Sequence, residues 1–134
     1  MRTLVIAPHP DDETLALGGT ISRLVSSGSK VSILTISGHL PPLYKQIDFE
    51  ITLNEALEAY KELGIEDYEF SKIPATFVHQ QPVAKLNGLI SIQKPDIIIC
   101  PSSHTKETLL KLFKIRPERI YVIPLGSIFN FIDL

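Results

Sequence analysis

The sequence predicts an α/β fold built on a mainly parallel sheet, and three features carry that expectation. Short, β-branched apolar runs alternate along the chain with longer segments whose apolar residues recur at helical spacing. One run, Ile97-Ile98-Ile99-Cys100, contains no polar residue, as expected of a strand covered on both faces. Strands separated by helices make repeated βαβ units, which force parallel pairing through right-handed crossovers. With 134 residues, 44% hydrophobic and 21% charged, the chain has the length and composition of one globular domain.

Each element follows from its own local signal. Thr3-Leu4-Val5-Ile6 reads as a short buried strand, and residues 14–27 follow as a helix. That helix carries Leu15, Leu17, Ile21, Leu24 and Val25 at helical spacing, with Gly28 as its C-cap. Residues 30–37 are a second strand rich in β-branched side chains, broken by Gly38-His39-Leu40-Pro41-Pro42 into a loop. A second helix is expected over 51–63, with Leu53, Ala56, Leu57, Tyr60 and Leu63 on one face and Gly64 as its stop. A third strand over 67–73 and a loop over 74–82 lead to a third helix, 83–93, with Leu86, Leu89 and Ile90 facing inward. After the strand 97–100 come a fourth helix over 105–113 and a last strand over 120–123. Residues 126–134 hold Phe129, Phe131 and Leu134, too much apolar surface for a free tail, so they are expected either to pack down or to belong to something missing. The expectation is a doubly wound, Rossmann-like sheet of five strands with helices on both faces, residues 1–134 forming a single domain.

Composition removes several functions. Thirteen basic against fifteen acidic side chains give a net charge of −2 with no basic patch, so nucleic acid is not an expected partner. No apolar run reaches the roughly 18 residues that a membrane span requires. The first apolar run is too short for a signal peptide and ends in acids. Cys100 is the sole cysteine; it cannot form an internal disulfide and reads as a buried thiol, which fits a reducing compartment. A cytoplasmic protein is expected, and self-association into a homo-oligomer stays open.

The densest chemistry lies in Ala7-Pro8-His9-Pro10-Asp11-Asp12-Glu13, at the turn from the first strand into the first helix. In a parallel sheet this is the carboxyl edge, where ligands bind. His9 and Asp12, three apart, can converge on one point, and imidazole nitrogen with carboxylate oxygen suits zinc or another first-row divalent ion. Asp11, between them, points elsewhere and is free to act as a base towards water that the metal activates. Pro8 and Pro10 fix φ on both sides of the histidine, and Gly18-Gly19 lets a backbone or substrate approach the helix. The plainer alternative is helix capping: Asp11 as N-cap, with Asp12 and Glu13 favoured by the dipole of the first turn. Capping explains the acids but not the histidine between two prolines.

Pro8-His9-Pro10-Asp11-Asp12-Glu13 followed by Leu17-Gly18-Gly19-Thr20 resembles the signature of the LmbE-like (PIG-L) deacetylases. Glu55, Ala59 and Leu63-Gly64 resemble that family's E-xxx-A-xxx-LG helix, and Lys94-Pro95-Asp96-Ile97-Ile98 its K-P-D strand. The resemblance covers about residues 1–103. It implies a zinc-dependent enzyme removing N-acetyl groups from N-acetylglucosamine conjugates, with His9 and Asp12 as metal ligands, Asp11 as general base and a small aminosugar conjugate as partner. Two departures stand out. Thr52 occupies the position, three residues before Glu55, where the family has an arginine. The family's second motif, H-x-D-H, implies a third ligand and an oxyanion-stabilising histidine, and here the chain reads His104-Thr105-Lys106-Glu107.

From that point the sequence resembles another family. Ser103-His104-Thr105-Lys106-Glu107-Thr108-Leu109 and Ile115-Arg116-Pro117-Glu118-Arg119-Ile120-Tyr121-Val122-Ile123-Pro124-Leu125-Gly126 are similar to a segment of family 4 glycosyltransferases. The expectation is a truncated or recombined deacetylase, residues 1–103 being deacetylase-like and 104–134 divergent. If it is active, the missing motif is expected to lower its activity. The alternatives are a catalytically inactive binding or assembly module and the amino-terminal fragment of a glycosyltransferase. His104 follows a strand at the same edge as His9 and is the candidate third metal ligand, against a solvated loop histidine. His39 lies on that edge too, as a pocket-lining or a plain loop residue; His79 reads as surface, and Lys106, Lys111 and Lys114 as one solvated helix face.

Overall fold

The computed structural model describes residues 1–100, 102–112 and 115–124. In chain order these form β1 (Arg2–Ala7), α1 (Asp12–Ser26), β2 (Lys30–Gly38), α2 (Gln46–Leu63) and β3 (Asp67–Pro74). A 3-10 turn, Ala75–Gln80, leads to α3 (Val83–Ile92), β4 (Ile97–Cys100), α4 (Ser103–Leu112) and β5 (Ile120–Val122). The five strands form one all-parallel sheet in the order β3-β2-β1-β4-β5. The α/β, doubly wound expectation holds.

Strand alternation divides the interior in two. Val5 pairs with Ile33 on one side and Ile99 on the other, and this row packs against Leu17, Ile21 and Leu24 of α1 and Ala56 and Tyr60 of α2. Leu4, Ile6, Leu34, Ile98, Cys100 and Ile120 belong to the opposite core, with Ile90 of α3 and Leu109 of α4. Both faces are therefore covered, which is why β4 can be wholly apolar.

Two helices, α2 and α4, start earlier than expected because of polar groups invisible to hydrophobic periodicity. α2 begins at Gln46 rather than 51 because the Asp48 carboxylate accepts from the Lys45 N–H at 3.1 Å and starts a turn that is mostly exposed. α4 begins at Ser103 rather than 105 because the Ser102 hydroxyl accepts from the Thr105 N–H at 3.1 Å. Leu15 is 77% exposed: two residues from Leu17, it lies on the far side of α1 from the buried Leu17-Ile21-Leu24 stripe. Lys106 is not solvated as expected, since its ammonium donates to the Ile120 carbonyl at 2.7 Å and ties α4 to β5. Lys114, Phe113 and residues 126–134 lie outside the described residues.

Candidate active site

The strand order determines where a ligand can sit. From β1 the sheet runs outward to β2 and β3 on one side and to β4 and β5 on the other. The carboxyl end of β1 therefore borders the switch point of the winding, the place where open α/β sheets bind their ligands. The chain turns into α1 just beyond Ala7, and the end of β2 holds that turn in place. The Pro8 carbonyl accepts from both the Ser37 N–H (2.9 Å) and the Ser37 hydroxyl (2.7 Å). Within the turn the Asp11 N–H donates to the His9 carbonyl at 3.1 Å, and the Asp11 carbonyl accepts the first helical bond from Leu15 at 2.9 Å.

The three side chains singled out from the sequence have distinct surroundings. One Asp12 carboxylate oxygen accepts from the His9 backbone N–H at 3.0 Å and stands 3.6 Å from His9 Nδ1. His9 and Asp12 thus converge, both partly open to solvent. Asp11 occupies the N-cap position of α1, yet its carboxylate makes no capping hydrogen bond and is exposed. Capping by Asp11, the plainer alternative, is thus realised by its backbone alone.

Glu13 points the other way, into the core, and is 1% exposed. Its carboxyl takes a 3.2 Å hydrogen bond from the Thr14 hydroxyl, while its other oxygen, the Thr35 hydroxyl and the Tyr60 hydroxyl are buried without a hydrogen-bond partner of ordinary geometry. Burial raises the Glu13 carboxyl above the usual carboxylate range, against the lowering effect of the turn's backbone. Burial, and then the neighbouring Glu13 charge, likewise push the Tyr60 phenol up. Glu13 therefore anchors the turn from below.

The structure adds a neighbour that the sequence left open. The His39 ring stacks on the His9 ring, centroids 5.6 Å apart and planes 5° from parallel, and Tyr44 meets His39 edge-on at 4.6 Å. The one signal for this in the sequence is positional: His39 follows the strand that pairs with β1. His104 does not complete the set. It sits exposed in the first turn of α4, and among the described residues no three His, Cys, Asp or Glu side chains converge as a metal cage. Thr52, at the position of the family's arginine, turns its hydroxyl back to the Asp48 carbonyl at 2.6 Å. Gly18 has open space where a side chain would project, so no backbone approaches the helix there. Cys100 is buried, and burial raises its thiol pKa, which suits a packing role. His79 is exposed, as expected.

The donor chemistry fits a divalent ion in part. Two donors at about 2.1 Å from a tetrahedral ion lie about 3.4 Å apart, close to the His9–Asp12 separation of 3.6 Å. A catalytic zinc takes three protein ligands, and the described residues bring two.

Comparison with known proteins narrows the reading. The sequence profile of PIG-L, GlcNAc-PI de-N-acetylase, matches residues 4–108. Curated relatives include the 1D-myo-inositol 2-acetamido-2-deoxy-alpha-D-glucopyranoside deacetylase of Rhodococcus erythropolis, 53% identical over 34 residues, or 25% of this chain and 12% of the relative. The protein of the same name from Streptomyces avermitilis is 28% identical over 88 residues, 57% of this chain and 30% of the relative. The chain thus matches less than a third of the length of either relative. Among solved structures, the conserved protein TT1542 from Thermus thermophilus superposes with a TM-score of 0.71 at 24% identity, covering 95% of this chain and 67% of its own. The N,N'-diacetylchitobiose deacetylase from Pyrococcus horikoshii gives 0.63 at 24% identity, covering 75% and 40%. The 4-carboxy-2-hydroxymuconate hydratase GalB from Pseudomonas putida gives 0.62 at 18% identity, covering 76% and 48%. Coverage of 95% reaches beyond residue 108, so the fold shared with TT1542 continues past the profile match. None of these proteins is named as a glycosyltransferase, and the resemblance of residues 103–126 to that family finds no support in them.

Proposed function

The chain belongs to the PIG-L family, and on that premise we propose that it hydrolyses the N-acetyl amide of an acetylated aminosugar conjugate in a metal-dependent reaction. In this reading His9 and Asp12 hold a divalent ion, zinc foremost, and Asp11 is the general base. The observation that carries it is the approach of His9 Nδ1 to the Asp12 carboxylate, 3.6 Å, beside an exposed Asp11 without a capping bond. When bound, a divalent ion supplies a Lewis acid that polarises an amide carbonyl and acidifies water. Asp11 accepts the proton released as water attacks the carbonyl and hands it to the departing amine. The Asp12 bond to the His9 N–H keeps the turn closed, and Glu13 fixes its base in the core. The buried, unpaired Cys100 supports a reducing compartment, the cytoplasm, as its setting.

A second reading, an inactive binding module, is favoured by one specific observation: among the described residues only two donors converge. Fold alone does not decide, because a hydratase shares it. The deciding experiment measures zinc stoichiometry together with acetate release from N-acetylglucosaminyl conjugates, for the parent chain and His9→Ala. One equivalent of zinc and acetate release, both lost in His9→Ala, are the expected results. Zinc binding without acetate release from any conjugate would leave the binding module as the better description.

A further inference from the structure

We infer that His39, braced by Tyr44, is a positioning residue that holds the His9 imidazole in the orientation its ligand role needs. The inference rests on the proposed role of His9 and adds the residue that prepares it. His9 is 39% exposed in its side chain and sits on a turn, so nothing in its own backbone would keep the ring still. Two contacts do so. Asp12 meets its Nδ1 edge at 3.6 Å, and the His39 ring lies parallel beside it, with planes 5° apart and centroids separated by 5.6 Å.

The second contact is built into the fold. β1 and β2 pair in parallel with Ala7 opposite Thr35, so the chain leaves both strands side by side at the same edge. Ser37 donates twice to the Pro8 carbonyl, and this sets the spacing between the His9 turn and the His39 loop. A side chain at Gly38 would place its Cβ 2.6 Å from Phe49 Cε2, so glycine there lets α2 press directly against the residue before His39. The loop then folds back through the Leu40 N–H to the Gly38 carbonyl (2.9 Å) and the Tyr44 N–H to the Leu40 carbonyl (3.3 Å). That path returns the Tyr44 ring edge-on to His39 at 4.6 Å. A flat ring braced edge-on by another ring is a platform; it confines the His9 ring before any ion arrives, so less side-chain freedom is lost on binding. Hydrogen-bonding partners that orient a metal-binding histidine change affinity about 10–100-fold when removed, and a ring that orients it acts in the same direction.

The test uses His39→Ala, which removes the platform, and His39→Phe, which keeps a flat ring without nitrogens. Unfolding midpoints first establish that both variants fold. Zinc affinity, measured by competition with a chromophoric chelator, is expected to fall about tenfold or more in His39→Ala. His39→Phe is expected to restore most of that loss. Independently of any metal, the carbon-bound ring protons of His9 in the metal-free protein are expected to lose a ring-current shift in His39→Ala and keep one in His39→Phe. Unchanged zinc affinity and unmoved His9 resonances in His39→Ala would overturn the inference. So would a His39→Phe variant as weak as His39→Ala, since the nitrogen rather than the ring would then matter. If the parent chain binds no zinc, the ligand reading of His9 fails, and the metal-free resonances still decide whether His39 holds the ring.

Discussion

Asp11 and Asp12 are neighbours in the chain with different commitments, and the difference separates their expected roles. Asp12 gives one oxygen to the His9 N–H and faces the imidazole, while the Asp11 carboxylate makes no capping bond. Asp11→Asn should therefore leave zinc affinity near that of the parent and lower the rate of acetate release by about 10²–10⁴, the usual contribution of a general base. Asp12→Asn should weaken zinc binding itself. Steady-state turnover measured beside chelator competition separates the two, and equal loss of zinc in both variants would refute the division. Glu13 makes a different prediction. Burial raises its pKa in the folded chain above the ordinary 4.5, so as pH climbs from there the unfolded chain releases its proton first. The folded state then binds more protons than the unfolded one, and stability falls until the raised folded pKa has been passed. Urea midpoints between about pH 4.5 and 8 should drop more steeply for the parent chain than for Glu13→Gln, and parallel slopes would show that Glu13 is already ionised in the fold.

At the scale of elements, α1 carries two apolar residues with opposite surroundings. Ile21 is fully buried between the sheet and α2, whereas Leu15 is 77% exposed. Ile21→Ala is expected to cost about 2–5 kcal/mol, and Leu15→Ala to stay within about 0.5 kcal/mol, both read from denaturant unfolding. The ends of helices are legible in the sequence where a glycine is needed: Gly28 and Gly64 take φ values of 82° and 71°, which other residues adopt at a cost. The first turn of α2 is hard to read, because Asp48 starts it among exposed side chains and Phe49 is its one buried residue. The bond from Lys106 to the Ile120 carbonyl is equally hidden, since a lysine on a helix face looks solvated until the packing of α4 on β5 is known.

For the molecule as a whole, the candidate site divides along the same line. His9, Asp11 and Asp12 lie within four consecutive residues, so their shared location is written in the sequence itself. The pairing of His9 with His39 depends on β1 lying beside β2, a lateral relation that no local pattern encodes. His104 shows the converse, because the correct sheet edge is not sufficient to bring a side chain into the cluster. The strand order has one more consequence. β3 and β5 are the edges of the sheet, and β5 is three residues long, whereas β1 lies in the middle with a paired strand on each side. Local opening begins where few hydrogen bonds must break, so backbone amides of β5 and β3 should exchange with deuterium well before those at Val5 and Ile6. Protection in β1 no greater than in β5 would contradict this. The turn that carries the reactive side chains leaves from the innermost strand, so fraying at the outer edges β3 and β5 is expected to leave it in place.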